Sequence, residues 1–314
     1  MTATSQNAAG VAGPAAGVGA ETLAKSRDFC RDVTRREARN FYYGLKLLPE
    51  PKRSAMYALY AYMRLVDDIA DDDSNGRTPA QRSRDLDQWE ELTRQAIAAA
   101  SDGAALPAGH PLWPAFASMV RDYRVPAKIF EDMIAGQRQD LEPVAIPDFP
   151  AMHQYCYRVA SVVGVASLYV FGFRGGDDTL KMGVDRGIAF QLTNILRDLG
   201  EDAAPPRRRC YIPADELARF RVHPEDLAQR RATPDVVELM KFQIERARGF
   251  YEKSAALESR VDEDARPTLS AMTAIYRGIL EKIARNPAHA LQRRVSLSPW
   301  AKMTIAWRAM RRRK

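Results

Sequence analysis

The sequence predicts an all-α fold built as a single domain, and three observations carry that expectation. From Leu23 onward apolar residues recur at three- and four-residue spacing, and strand-like alternation is nowhere sustained. Helix breakers punctuate the pattern at Pro49, Asn75-Gly76, Pro107, Pro147, Gly175-Gly176, Pro205-Pro206 and Pro287. No internal repeat with a solenoid period is present. At 314 residues, with 46% hydrophobic and 28% charged, the chain can bury a sizeable core.

Residues 1 to about 20 are rich in alanine and glycine and lack a basic n-region, so residues 1–22 read as a disordered leader, not a signal peptide. Helices are expected over 23–38, 41–48, 51–73, 79–100, 111–122, 126–140, 150–172, 177–200, 213–219, 224–229, 233–260, 264–285 and 299–312. The longest low-charge stretch, Val159 to Phe173, has 15 residues, short of the ~20 that span a bilayer. The default reading is a central core helix, although a helix apolar on every side can also line a cavity. Three scattered cysteines (Cys30, Cys156, Cys210) argue for a reducing compartment and against zinc or a disulfide framework. Four scattered histidines offer no imidazole site, so a metal here needs oxygen ligands. The net charge of +7 is concentrated at the C terminus, where five of the last seven residues are cationic. No nucleic-acid recognition module accompanies it, and an anionic membrane or a polyphosphate substrate fits as well.

The segment Tyr57–Asp73, YALYAYMRLVDDIADDD, is apolar enough for a buried helix yet ends in five aspartates within seven residues. Carboxylates at a helix C terminus face the negative end of the macrodipole. At about 100° per residue, Tyr60, Arg64, Asp67 and Asp71 share one stripe, with Asp68 beside it. A solvated acidic end is the ordinary explanation for one such run. The same anomaly recurs in QLTNILRDLGED (191–202), where Asn194, Asp198 and Asp202 step by four. Two such ends point to facing carboxylate clusters sharing hard divalent cations, Mg²⁺ or Mn²⁺, whose usual partner is a phosphate. Arg64 and Arg197 sit one turn from the acids, either as intrahelical ion pairs or as ligands for diphosphate oxygens.

At this point the residues match a family. DDIAD (67–71) and NILRDLGED (194–202) resemble the paired motifs of the squalene/phytoene synthases, which join prenyl diphosphates head to head. NFYYGLKLLP (40–49), YCYRVASVVG (155–164) and RCYIP (209–213) resemble further family segments, in the family's order. One departure is Arg208, which stands where the family usually has glycine, after a longer and more basic approach through Pro205, Pro206 and Arg207.

The resemblance implies an isoprenoid-synthase helical bundle around a hydrophobic cavity. It implies a catalytic domain over 23–298, followed by a basic amphipathic segment at 299–314. Asp67, Asp68 and Asp71 would hold Mg²⁺ on the diphosphate that leaves first, assisted by Arg64, Arg39 and Tyr276. Asn194, Asp198 and Asp202 would hold Mg²⁺ near the second, assisted by Arg197, with Arg294 and Lys302 as further phosphate contacts. Phe41, Tyr42, Tyr43, Tyr60 and Tyr155 are candidates for walls around a carbocation, though Tyr42 and Tyr43 are better explained as ordinary core aromatics. Gln191 either faces the cavity or caps a packing contact.

Two farnesyl diphosphates condensing to presqualene diphosphate is the favoured product expectation, for squalene or hopanoid supply. Two geranylgeranyl diphosphates condensing to phytoene is the alternative, and a non-catalytic scaffold or a terpene cyclase is more remote. NADPH is not indicated, nor is a nucleic-acid partner. The C-terminal stretch interleaves Trp300, Met303, Ile305, Trp307 and Met310 with cations. That pattern suits peripheral contact of a cytoplasmic protein with the inner face of a membrane, and equally a plain terminal helix with a solvated tail; the lipid-soluble substrates and products that the resemblance implies favour the first.

Overall fold

A computed structural model describes residues 19–38, 41–71, 76–141, 146–205 and 208–311. Among the described residues sixteen α-helices follow one another: α1 (Ala20–Glu37), α2 (Phe41–Leu45), α3 (Lys52–Asp71), α4 (Pro79–Asp102), α5 (Trp113–Tyr123), α6 (Ala127–Gln139), α7 (Phe149–Cys156), α8 (Val162–Phe171), α9 (Gly176–Ala203), α10 (Ala214–Arg219), α11 (Pro224–Ala228), α12 (Pro234–Lys253), α13 (Leu257–Arg260), α14 (Arg266–Arg285), α15 (Pro287–Gln292) and α16 (Pro299–Arg311). Among the described residues the only extended pairing is one antiparallel bridge between Phe173 and Val261. The all-α expectation holds.

Prolines open several of these helices. Pro79, Pro224, Pro234, Pro287 and Pro299 each occupy the first helical position, where the missing N–H costs nothing. Side-chain caps fix several of these starts: Thr78 and Gln81 form a reciprocal capping box, and Thr233 accepts from Val236 N at 3.2 Å. Pro287, expected as a breaker, instead starts α15, capped by Asn286 accepting from His289 N at 3.0 Å. Two further expectations are corrected. The helix expected over 233–260 turns at Ser254 and resumes as α13, and the one over 150–172 contains a π-helical turn, Tyr157–Ser161.

The helices bury two apolar clusters. One joins α1, α3, α4, α5, α6 and α8 and contains an aromatic stack in which Tyr62 lies 4.6 Å from Phe116 and 5.2 Å from Phe130. The other joins α7, α9, α12, α14 and α15 through residues such as Leu192, Leu196, Met240, Ile279 and Leu280. α8 and the π-turn pack on α9, bringing the clusters together. Close approach is needed there, because a Cβ on Gly187 of α9 would stand 2.4 Å from Ser161 Cα. The seam between the clusters is where the acidic helix ends meet.

Candidate active site

A cavity of about 280 Å³ opens in that seam. One face of α8 and its π-turn lines it, through Val159, Ala160, Val163, Gly164, Ser167, Leu168 and Phe171, while Val162, Ala166 and Val170 point into the core. Both sequence readings of this stretch therefore apply, each to one side of the helix. Tyr60, Met63 and Asp67 line it from α3, Phe190, Gln191 and Asn194 from α9, and Met272 and Tyr276 from α14. Phe190 and Tyr276 stack at 4.3 Å between centroids. Beneath them Arg186, also in the wall, is buried and held by Glu258, Ser254 and Thr273. A larger open depression of about 830 Å³ lies between α1 and the α4–α5 connection and contains no acidic residue.

The acids gather at one end of this cavity. Gln137 Nε2 of α6 donates to Asp67 Oδ1 at 2.6 Å. Burial pushes the Asp67 carboxyl up to about 7, with Asp71 adding to the shift and Arg64 opposing it. Asp68 pairs with Arg64. Asp198 lies between two arginines: Arg197 Nε donates to its Oδ1 at 3.0 Å and Arg294 Nε approaches the same atom at 2.9 Å. Tyr276 is buried beside Asn194 and Arg197, and burial raises its hydroxyl to about 12 against the pull of Arg197. Lys302 of α16 is near enough to Arg197 for the two charges to interact.

A further carboxylate joins the two expected clusters. Asp140, at the C-cap of α6, lies within electrostatic reach of both Asp71 and Asp202. Burial pushes its carboxyl up to about 6 while Arg209 opposes the shift. Sequence reasoning passed over Asp140, although the signal was the one that singled out α3 and α9: an acid at a helix C terminus. Gln137 and Arg209 were not assigned to the site either.

Tyr155 does not line the cavity. It stacks on Tyr211 at 4.9 Å and donates to Asp140 Oδ2 at 3.4 Å, which puts it behind the acids. Tyr42 stacks on Tyr57 at 6.1 Å, the packing role that already accounted for it. Arg39 and the side chains of Phe41 and Tyr43 lie outside the described residues.

The donor set suits a hard cation. Asn194 Oδ1 and Asp140 Oδ1 are buried with no hydrogen-bond partner, and the Asp67 charge is poorly compensated. Among the described residues no three His, Cys, Asp or Glu side chains form a ready cluster for a metal ion, and arginines pair with Asp68, Asp71 and Asp198. Besides burial, neighbouring acids raise the carboxyls of Asp67 and Asp140, a repulsion that a cation between them would relieve.

Residues 34–301 match the squalene/phytoene synthase family. A phytoene synthase of Arthrospira platensis is 36% identical over 297 residues, covering 90% of this chain and 91% of its own. A phytoene synthase of Mycobacterium tuberculosis is 34% identical over 281 residues, 88% of each chain. Among solved structures, a dehydrosqualene synthase superposes with a TM-score of 0.78 at 26% identity, covering 93% of this chain and 98% of its own. A squalene synthase from Alicyclobacillus acidocaldarius gives 0.76 at 26% identity, over 87% and 97%. The match spans both acidic helix ends and the cavity between them, and the chain belongs to the squalene/phytoene synthase family, the prenyltransferases that condense prenyl diphosphates head to head.

Proposed function

We propose that this prenyltransferase condenses two molecules of geranylgeranyl diphosphate to phytoene. The observation that carries the reading is that relatives matching along nine-tenths of the chain, at 36% and 34% identity, are phytoene synthases. The C30 enzymes among the solved structures stand further off at 26%. The farnesyl expectation therefore yields to its geranylgeranyl alternative.

Asp67, Asp68 and Asp71 from α3 and Asn194, Asp198 and Asp202 from α9 would hold Mg²⁺ or Mn²⁺. When bound, the ions neutralise the leaving diphosphate. Arg64, Arg197, Arg294 and Lys302 surround the same end and would take the remaining diphosphate oxygens. The prenyl chains would lie along α8 in the seam. When the first diphosphate leaves, C1 of that chain is attacked by the double bond of the second, and proton loss closes a cyclopropane. Loss of the second diphosphate and rearrangement follow, and a final proton loss gives the hydrocarbon. Tyr60, Phe190 and Tyr276 present aromatic faces towards that charge, and the apolar wall of α8 excludes the water that would quench it.

No helix among the described residues is long and apolar enough to cross a membrane. We assign α16 to peripheral contact instead. Its inner face, including Ile305 and Ala309, packs on α14, so Ile305 does not belong to the outer stripe. Trp300, Met303, Trp307 and Met310 are exposed on the outer face, between 47% and 76%, next to Arg308 and Arg311. A basic face with tryptophans suits an anionic lipid surface, into which the apolar product partitions.

The test is incubation of purified protein with Mg²⁺ and either farnesyl or geranylgeranyl diphosphate, with and without NADPH, read by mass spectrometry. A C40 hydrocarbon from the longer substrate is expected. A C30 cyclopropyl diphosphate made in preference would reinstate the farnesyl reading. No product from either would put the scaffold first.

A further inference from the structure

The RCYIP segment has no part in the chemistry above, yet its first residue stands among the acids. Three helices end together at the mouth of the cavity: α3 at Asp71, α6 at Gln139 with Asp140 as its cap, and α9 at Ala203. Each C terminus carries about half a negative charge, and each adds carboxylates to it. Arg208, beyond α9, stands at φ 49° with its N–H on Ala204 O at 3.1 Å. Arg209 N then donates to Asp202 O at 2.7 Å, so the segment is tied to the last turn of α9. From that anchor the guanidinium reaches Asp71 Oδ1 at 3.3 Å and Asp140 O at 3.3 Å. One side chain thus touches the ends of α3 and α6 while its own backbone holds α9.

Both guanidinium contacts are long, since charge-assisted bonds usually run about 2.7–2.9 Å. The acids beside it remain incompletely served, because Asp140 Oδ1 is buried without a partner. We propose that Arg209 is a positioning residue that stands in for a divalent cation at the junction of α3, α6 and α9. It keeps the three acidic ends together before the metal arrives, and it gives up Asp71 when the metal binds. Arg209 and the first cation therefore compete for the same carboxylate. This rests on reading Asp71 and its neighbours as metal ligands.

The competition predicts a sign that a merely structural residue would not produce. Removing a residue that only shapes the site weakens metal binding, whereas removing a competitor strengthens it. The test is titration of the full chain with Mn²⁺ alone, counting free Mn²⁺ by electron paramagnetic resonance. Arg209→Gln should bind Mn²⁺ about tenfold more tightly than wild type, the size expected for one partly exposed ion pair and its field. Should that variant fail to fold, Arg209→Lys carries the test, since a point charge cannot bridge two partners, and about threefold tightening is expected. Equal or weaker binding by a folded variant overturns the proposal. Wild-type protein and both variants binding no Mn²⁺ at millimolar concentration would instead sink the reading of the acids as ligands, and this proposal with it.

Discussion

Asp67 is a residue whose charge the protein around it disfavours, since burial and neighbouring acids raise its carboxyl to about 7. Asp67→Asn keeps the Oδ1 that accepts from Gln137 and removes the disfavoured charge. Turnover should fall by at least about 10²–10³-fold, while the melting temperature in chelator stays level or rises. A product assay beside thermal melting by circular dichroism checks this; a lower melting temperature with activity retained per folded molecule would contradict it. Glu258 behaves in the opposite sense. Burial raises its carboxyl, but Arg186 and Thr273 outweigh that and hold it below the ordinary 4.5. Such a group adds stability that is complete above the unfolded value and is lost as pH falls through the lowered folded one. Urea unfolding at pH 6 and pH 3 should therefore show a smaller acid loss in Glu258→Gln than in wild type. At this scale the acids of α3 and α9 could be read from spacing alone. The contacts of Gln137 with Asp67 and Arg209 with Asp71 could not, because they join residues 70 and 138 positions apart.

At the scale of elements, the π-turn of Tyr157–Ser161 shifts the register of the cavity wall between α7 and α8. It packs where Gly187 has no side chain. Gly187→Ala places a Cβ against main chain at 2.4 Å, so the turn must move. A loss of about 1–3 kcal/mol by urea unfolding is expected, together with a raised KM as the wall moves inward. An unchanged unfolding midpoint would show that the contact relaxes freely. Periodicity located most helices because each has an apolar face. It did not reveal the π-turn, because the stretch that follows is apolar on every side and a shift of register leaves no mark in it. Nor did it reveal α15, because Pro287 reads as a stop until Asn286 is seen capping the turn that follows.

For the whole molecule, two clusters of helices leave a seam, and the candidate site lies in it. The outer face of α16 is a separate surface, so the two should be separable by mutation. The double variant Trp300→Ser, Trp307→Ser should keep its far-UV spectrum and its turnover of detergent-dispersed substrate. Its cosedimentation with vesicles rich in anionic lipid should drop several-fold. Unchanged cosedimentation would remove α16 from the membrane account. The all-helical class, most helix positions and the two acidic ends follow from the sequence by itself, because hydrophobic periodicity and charge at a helix terminus are local properties. Only the tertiary structure decided that α6 brings Asp140 to the same point, that Tyr155 stands behind the acids instead of in the cavity, and that Arg209 spans three helix ends. Those facts depend on which helices cross and how closely, which is set by packing between residues far apart in the chain.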